Sequence, residues 1–334
     1  MIFLAAVDIG GTKITASICN EDSILSKIYQ PTCLTGDPLT VPKQVAELVE
    51  RACREAGIGK DSIHALGISS AGPFVRINGF KAMASPNLCG NLGGRQVAPN
   101  NWGPIEIEAF LKPGFRQFSM GNDAATAAVA EHRFGAGRGF RHLAYITWST
   151  GIGMGIIHKG RLLGGKNGNA GHGGHLYIST EDGPLCGCGQ YGDLEAFTSG
   201  TALARDYGEE GITARDIFSR YRKGEEKAEG IIRKAARIMG RALAAVNNLL
   251  DLELFVIGGS VFMHNQDLLK PLLMETFGLS FPALSGGVEI KASELDNYLG
   301  DIAALSLVMP ENWIVHWQKN RPWEKAPEAV ILSG

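Results

Sequence analysis

Apolar positions along the chain follow two spacings, and these predict its elements. Residues 2–8 are a short apolar run ending at Asp8, as in a buried strand. Gly10 and Gly11 make a turn, after which Ile14, Ala16 and Ile18 alternate with Thr15 and Ser17, the period of a half-buried strand. A third strand is expected over 24–30. Helical spacing begins at 42–56, where Val45, Leu48, Val49 and Ala52 share one face. A buried strand at 63–68, a short helix at 105–111 and a strand at 115–120 follow. The order β-β-β-α-β-α-β predicts a mixed sheet with helices on both faces.

The second half echoes the first. An apolar strand at 143–147, a Gly/Ser/Thr turn and a strand at 154–158 repeat the opening pattern. A helix is expected over 122–134. A longer one at 231–250 carries Ile231, Ile232, Ala235, Ile238, Met239, Ala242 and Leu243 at apolar positions. It leads into a strand at 254–257 that ends in Gly258-Gly259-Ser260. A last helix is expected over 297–309. The tail from Pro310 carries Trp313, Trp317 and Trp323, read as packing against the first lobe or another subunit. The expected division is 1–121 as one lobe, joined by the helix at about 297–309, then 122–296 as a second lobe, and 310–334 as a tail. A phosphate-type loop in each half predicts a cleft between the lobes.

Composition narrows the class. A chain of 334 residues fits two domains of ordinary size. With 45% hydrophobic and 20% charged residues it reads as a globular protein in water. The net charge is -2 and Lys and Arg form no block, so a nucleic-acid partner has no electrostatic footprint. No apolar run reaches the ~18 residues of a membrane span. The apolar opening lacks a basic flank and a cleavage site, so it is not read as a signal peptide, and the cytoplasm is the expected compartment. Of the cysteines, Cys19, Cys33, Cys53 and Cys89 are scattered and read as reduced thiols. Cys186 and Cys188 instead form a Cys-x-Cys pair, within a glycine-rich stretch at 151–192.

Several stretches carry candidate chemistry. In Asp8-Ile9-Gly10-Gly11-Thr12-Lys13, glycine lets backbone N–H groups reach phosphate oxygens and Thr12 adds a hydroxyl. Asp8 could hold Mg2+ through water. A plain hairpin turn is the competing reading. Ser149-Thr150-Gly151-Ile152-Gly153 is the equivalent turn in the second half. Gly258 and Gly259 permit close approach to the flat face of a nucleoside, or simply start a helix. Asn122 and Asp123 open a helix. They either cap it or place a carboxylate, held ionised by the helix N-terminus, where it can accept a proton from a hydroxyl. His175, Cys186, Cys188 and Asp193 could form a tetrahedral zinc site stapling a loop with few apolar side chains, although a Cys-x-Cys pair also arises by coincidence.

Together these stretches resemble the ROK family (repressors, open reading frames and kinases) of the actin-like ASKHA sugar-kinase superfamily. The resemblance runs over 5–308. It is carried by DIGGTK (8–13), SSAGP (69–73), SPNL (85–88), NDAATAAVAEHRFGAGRG (122–139), STGIGMG (149–155), AGHGGH (170–175), CGCGQYGDLE (186–195), TSG (198–200) and VIGGSV (256–261). It implies an α/β fold of two actin-like, ribonuclease H-like lobes around an interlobe cleft. It implies ATP-dependent phosphorylation of a sugar 6-hydroxyl, with Asp123 as catalytic base. ATP phosphates would lie on Gly10, Gly11, Thr12 and Lys13 and on Thr150, Gly151 and Gly153, with Mg2+ near Asp8 and adenosine near Gly258 and Gly259. The sugar would contact Gly72, Asn87, Asn122, Asp123, His172, His175 and Glu195. His175 would serve both sugar and a structural Zn2+. A homodimer or homotetramer is implied.

Two departures from the family pattern bear on function. Asp193 stands where the usual zinc motif has a third cysteine; aspartate ligates zinc, but a hard oxygen lessens the site's thiolate character. His172 stands where most glucose-specific members have Glu. His-x-Gly-His resembles bacterial N-acetylmannosamine kinases, although the animal N-acetylmannosamine kinase resembles the Glu form. A carboxylate only accepts hydrogen bonds, whereas a neutral imidazole also donates, which suits an amide oxygen at C2. The expected activity is therefore N-acetylmannosamine kinase, with glucokinase as the alternative. A sugar-responsive ROK transcriptional regulator is a remote reading, because such members add an N-terminal helix-turn-helix domain and Asp8 lies almost at the start.

Overall fold

The computed structural model describes residues 2–90, 92, 98–179 and 183–332. The chain divides into two compact units. One comprises Met1–Phe134, Gly164–Ala170 and Asn297–Gly334; the other comprises Gly135–Leu163 and Gly171–Asp296. Helix Asp123–Phe134 clusters with the first unit, past the boundary expected at 121. Its buried side chains are largely alanines, and this small-residue surface packs closely against helix Leu299–Ser306.

The first unit is built on strands β1 (Phe3–Ile9), β2 (Lys13–Cys19), β3 (Ile24–Pro31), β4 (Ile63–Ser70), β5 (Phe74–Ile77), β6 (Phe80–Met83) and β7 (Gln117–Asn122). The main sheet runs β3-β2-β1-β4-β7, extended by Val330–Ile331 beside β3. β1, β2 and β3 form an antiparallel meander, whereas β4 and β7 run parallel to β1. Helix Thr40–Glu55 buries Val41, Val45, Leu48, Val49 and Ala52 in the same core cluster as Val7, Ile14 and Ala16. Helix Leu299–Ser306 lies flush on β4: a Cβ added at Gly67 would stand 2.1 Å from the Ala304 carbonyl oxygen.

Parallel pairing brings three strand ends into one row. Ile9 pairs with Ser70, and Ser70 with Asn122, so β1, β4 and β7 all end at the same edge. Carboxyl ends of parallel strands are where α/β sheets bind ligands. The tail contains a helix, Glu311–Asn320, and its three tryptophans are buried in this unit. Trp317 donates from Nε1 to the Glu21 carbonyl at 2.7 Å, and Phe134 packs against Trp317 and Trp323. Residues 333 and 334 of the tail lie outside the described residues.

The second unit holds β8 (Leu143–Trp148), β9 (Ile152–His158), β10 (Arg161–Leu162), β11 (Leu254–Gly258) and β12 (Glu289–Ala292), in the order β10-β9-β8-β11-β12. β8 and β9 are an antiparallel hairpin, and β11 runs parallel to β8. Helix Glu226–Leu250 buries Ile232, Ala235, Met239, Leu243 and Val246 in this unit's core.

Candidate active site

At the row of strand ends in the first unit, Asp8 lies beside Ser69 of β4, and Ser69 beside Gly121 of β7. Asn122 then ends β7 and Asp123 opens the helix that follows. The Asp123 carboxylate accepts from the Ala124 N–H at 2.8 Å, and the Asn122 side-chain oxygen accepts from the same N–H at 3.1 Å. Asp123 is accessible to solvent, yet desolvation by the surrounding protein raises its pKa; the Ala124 N–H and the Asn122 side chain pull it back. Asp8 is pushed up to about 7 by burial first, then by the negative charge of Asp123, with a smaller contribution from Asp301. A hydrogen bond from Ser69 and the charge of Lys13 oppose that rise. Two carboxylates thus share one electrostatic neighbourhood, and a cation between them would relieve both.

The β1–β2 turn is closed by the Gly10 N–H donating to the Lys13 carbonyl at 3.0 Å. A Cβ added at Gly11 would stand 3.3 Å from Asn87, so the glycine lets this turn pack on helix Pro86–Cys89. Asn87 and Thr12 are exposed, and Gly72 follows β4 by two residues. This unit therefore gathers Asp8, Gly10, Gly11, Asn87, Asn122 and Asp123 at one sheet edge. Lys13 sits 5.3 Å from the centre of the Tyr29 ring.

In the second unit the β8–β9 turn is tied to a carboxylate. Glu195 accepts from the Ile152 N–H at 2.8 Å, and a Cβ added at Gly151 would stand 2.6 Å from the same oxygen. Thr150 accepts at its carbonyl from the Thr201 hydroxyl at 3.0 Å, and Ser149 meets Ser260 hydroxyl to hydroxyl at 3.0 Å. Gly259 has φ +86°, and a Cβ there would stand 2.6 Å from the Trp148 carbonyl oxygen. Backbone from the β8–β9 turn and from the end of β11 therefore comes together, with Gly258 opposite Thr147 in register. The glycines of 170–175 serve close packing too: a Cβ at Gly174 would stand 2.2 Å from the Ile152 carbonyl oxygen.

Within the same unit His175, Cys186, Cys188 and Asp193 place one ligand atom each within 4.8 Å of one another. His175 Nδ1 lies 2.9 Å from Asp193 Oδ2, and Cys188 Sγ lies 3.5 Å from that oxygen. The other Asp193 oxygen caps helix Leu194–Thr198 through the Ala196 N–H at 2.8 Å, which orients the side chain. Burial pushes the Cys186 thiol up, and the hydrogen bond to Asp193 raises His175. A divalent cation reverses such shifts by deprotonating the thiols. One imidazole, two sulfurs and one carboxylate oxygen fit the tetrahedral donor set of zinc.

The profile of the ROK family matches residues 4–310. The chain belongs to the ROK family. It is 30% identical over 332 residues to a glucokinase of Halalkalibacterium halodurans, covering 94% of this chain and 95% of that one. It is 32% identical over 309 residues to an N-acetylmannosamine kinase of Escherichia fergusonii, covering 92% and 98%. A ROK family glucokinase from Streptomyces griseus, solved in complex with glucose and AMPPNP, aligns with a TM-score of 0.66 at 29% identity, over 90% of this chain and 97% of that one. The mixed α/β architecture is accordingly the actin-like sugar-kinase fold of the ASKHA superfamily.

His172 lies in the second unit, three residues before His175. Its ring stacks on His175 at 6.1 Å between centroids, and its Nε2 is buried with no hydrogen-bond partner among the described residues. Burial and the neighbouring His175 both lower its pKa, favouring the neutral ring. Sequence reasoning missed Ser69 and Asp301, which tune Asp8, and Thr201 and Ser260, which hold the β8–β9 turn. Ser69 and Ser260 lie inside motifs already noted, but only strand pairing reveals which neighbour each one serves.

Proposed function

We propose that this ROK protein transfers the γ-phosphoryl group of ATP to the 6-hydroxyl of an N-acetylated hexosamine, with N-acetylmannosamine as substrate. It is an ATP-dependent sugar kinase. Asp123 orients the sugar 6-hydroxyl and accepts its proton as the oxygen attacks phosphorus in line. In the Gly10–Lys13 and Thr150–Gly153 turns, N–H groups other than those of Gly10 and Ile152, which donate to Lys13 and Glu195, receive the phosphate oxygens, and Gly258 and Gly259 accommodate the adenosine. Mg2+ bound with the nucleotide offsets its charge, and Asp8 would hold that ion through water. Gly72, Asn87, Asn122, His172, His175 and Glu195 bind the sugar. Zinc on His175, Cys186, Cys188 and Asp193 is structural, since four protein ligands leave no open position.

The observation that carries the choice of sugar is the unpartnered Nε2 of His172. A buried imidazole nitrogen without a partner costs about 1–3 kcal/mol, which a ligand amide at C2 would recover. Glucose is the second reading, supported by the relative named glucokinase. A panel of hexoses and N-acetylhexosamines with ATP, followed by coupled ADP release, tests both. N-acetylmannosamine is expected to give the highest kcat/KM. Glucose ahead of it by tenfold would reject the hexosamine reading, and ADP release that no sugar stimulates would reject the kinase. We also place the protein in the cytoplasm as a homodimer or homotetramer, which light scattering measures.

A further inference from the structure

We propose that Asn169 is a positioning residue for the histidine loop, holding the segment that leads to His172. The segment Gly164–Ala170 belongs to the first unit although the residues flanking it belong to the second. One side chain secures it. Asn169 Oδ1 accepts from the Phe74 N–H at 2.8 Å, and Asn169 Nδ2 donates to the Phe74 carbonyl at 2.7 Å. A single amide therefore satisfies both backbone groups of one β5 residue, as a neighbouring strand would. Only an amide offers an acceptor and a donor together in this way. The anchor is firm, because Phe74 is 1% exposed.

The same point is braced from β7. Lys81 of β6 donates from Nζ to the Met120 carbonyl at 2.7 Å and lies 5.5 Å from the centre of the Phe74 ring. A Cβ added at Gly168 would stand 3.1 Å from that Nζ, so the segment also rests on Lys81. Gly168 has φ +86°, and Ala170 N–H closes the segment on the Gly164 carbonyl at 3.1 Å. Met120 precedes Asp123 by three residues and Asn169 precedes His172 by three. The β5–β6 hairpin thus ties β7, the strand that ends one residue before Asp123, to the segment that precedes the histidines.

This inference rests on reading His172 as a sugar contact, and the test separates the two. Steady-state kinetics would be run on His172→Ala, Asn169→Ala, the double variant and Asn169→Asp, which keeps the size and the acceptor but loses the donor. Asn169→Ala is expected to raise the KM for sugar about tenfold while kcat and the KM for ATP change less than about threefold. Asn169→Asp is expected to raise the sugar KM comparably. The double variant is expected to match His172→Ala within about twofold, because residues acting through one another are not additive. If the two effects multiply, or if Asn169→Ala lowers kcat and raises both KM values together, the positioning role is overturned. If His172→Ala leaves the sugar KM unchanged, the sugar-site reading of His172 fails and the positioning role falls with it. If His172→Ala raises the KM and neither Asn169 variant does, the positioning role alone is wrong.

Discussion

At the scale of single residues, two carboxylates in the first unit have different consequences. Asp123→Asn keeps the shape and removes the proton acceptor. We expect kcat to fall by about 10²–10⁴-fold, with sugar affinity by calorimetry changed little. Asp8 predicts a pH effect on stability. Its pKa rises from the ordinary 3.8 to about 7 on folding. The folded state therefore holds this proton more tightly, and the stability it contributes below pH ~4 is lost as pH climbs through ~7. Asp8→Asn should raise the melting temperature of the nucleotide-free protein by about 5–10 °C more at pH 8 than at pH 5, by calorimetric scanning. The helix start at Asp123 was legible in sequence because Asn-Asp there is a local signal, whereas its role as base came from the family motif. The effect of Asp123 on Asp8 was not legible, because pairing of Asp8 with Ser69 and of Ser69 with Gly121 joins residues far apart in the chain.

At the scale of elements, legibility followed hydrophobic period. Alternating and continuous apolar runs marked β1 to β4, β8 and β11, and a helical face marked the helix expected over 231–250, which begins five residues earlier, at Glu226. The β5–β6 hairpin was missed despite its signal: Asn78 and Gly79 have φ +51° and +85°, the left-handed pair that an Asn-Gly turn supplies. Helices Ala214–Arg222 and Gln266–Phe277 were also missed, although the first opens with a Thr213–Asp216 capping box. The glycine-rich segment at 183–192 has almost no apolar side chains to hold it, so metal ligation is what would order it. Cys186→Ser should reduce zinc, by elemental analysis after dialysis, from about one ion per chain to well below one. It should also make the segment protease-sensitive.

At the scale of the whole molecule, the C-terminal region belongs to the unit that contains the N-terminus. Trp317 is fully buried, donates to the Glu21 carbonyl and packs on Phe134. Trp317→Ala should cost about 3–5 kcal/mol in that unit, read as a lower urea midpoint for the first of two transitions. The tail was expected to pack on the first lobe or on another subunit. Sequence could not decide, because three tryptophans announce burial without naming a partner. Gly67 shows what this arrangement means for synthesis. The surface of β4 around it is covered by Ala304, from a helix translated near the end. At roughly 5–20 residues per second, about 10–35 s separate the emergence of β7 from that of its cover. The second unit is complete by Asp296. On the ribosome, the unit that begins the chain is therefore the last to finish folding, and its exposed sheet is what a nascent-chain chaperone would meet.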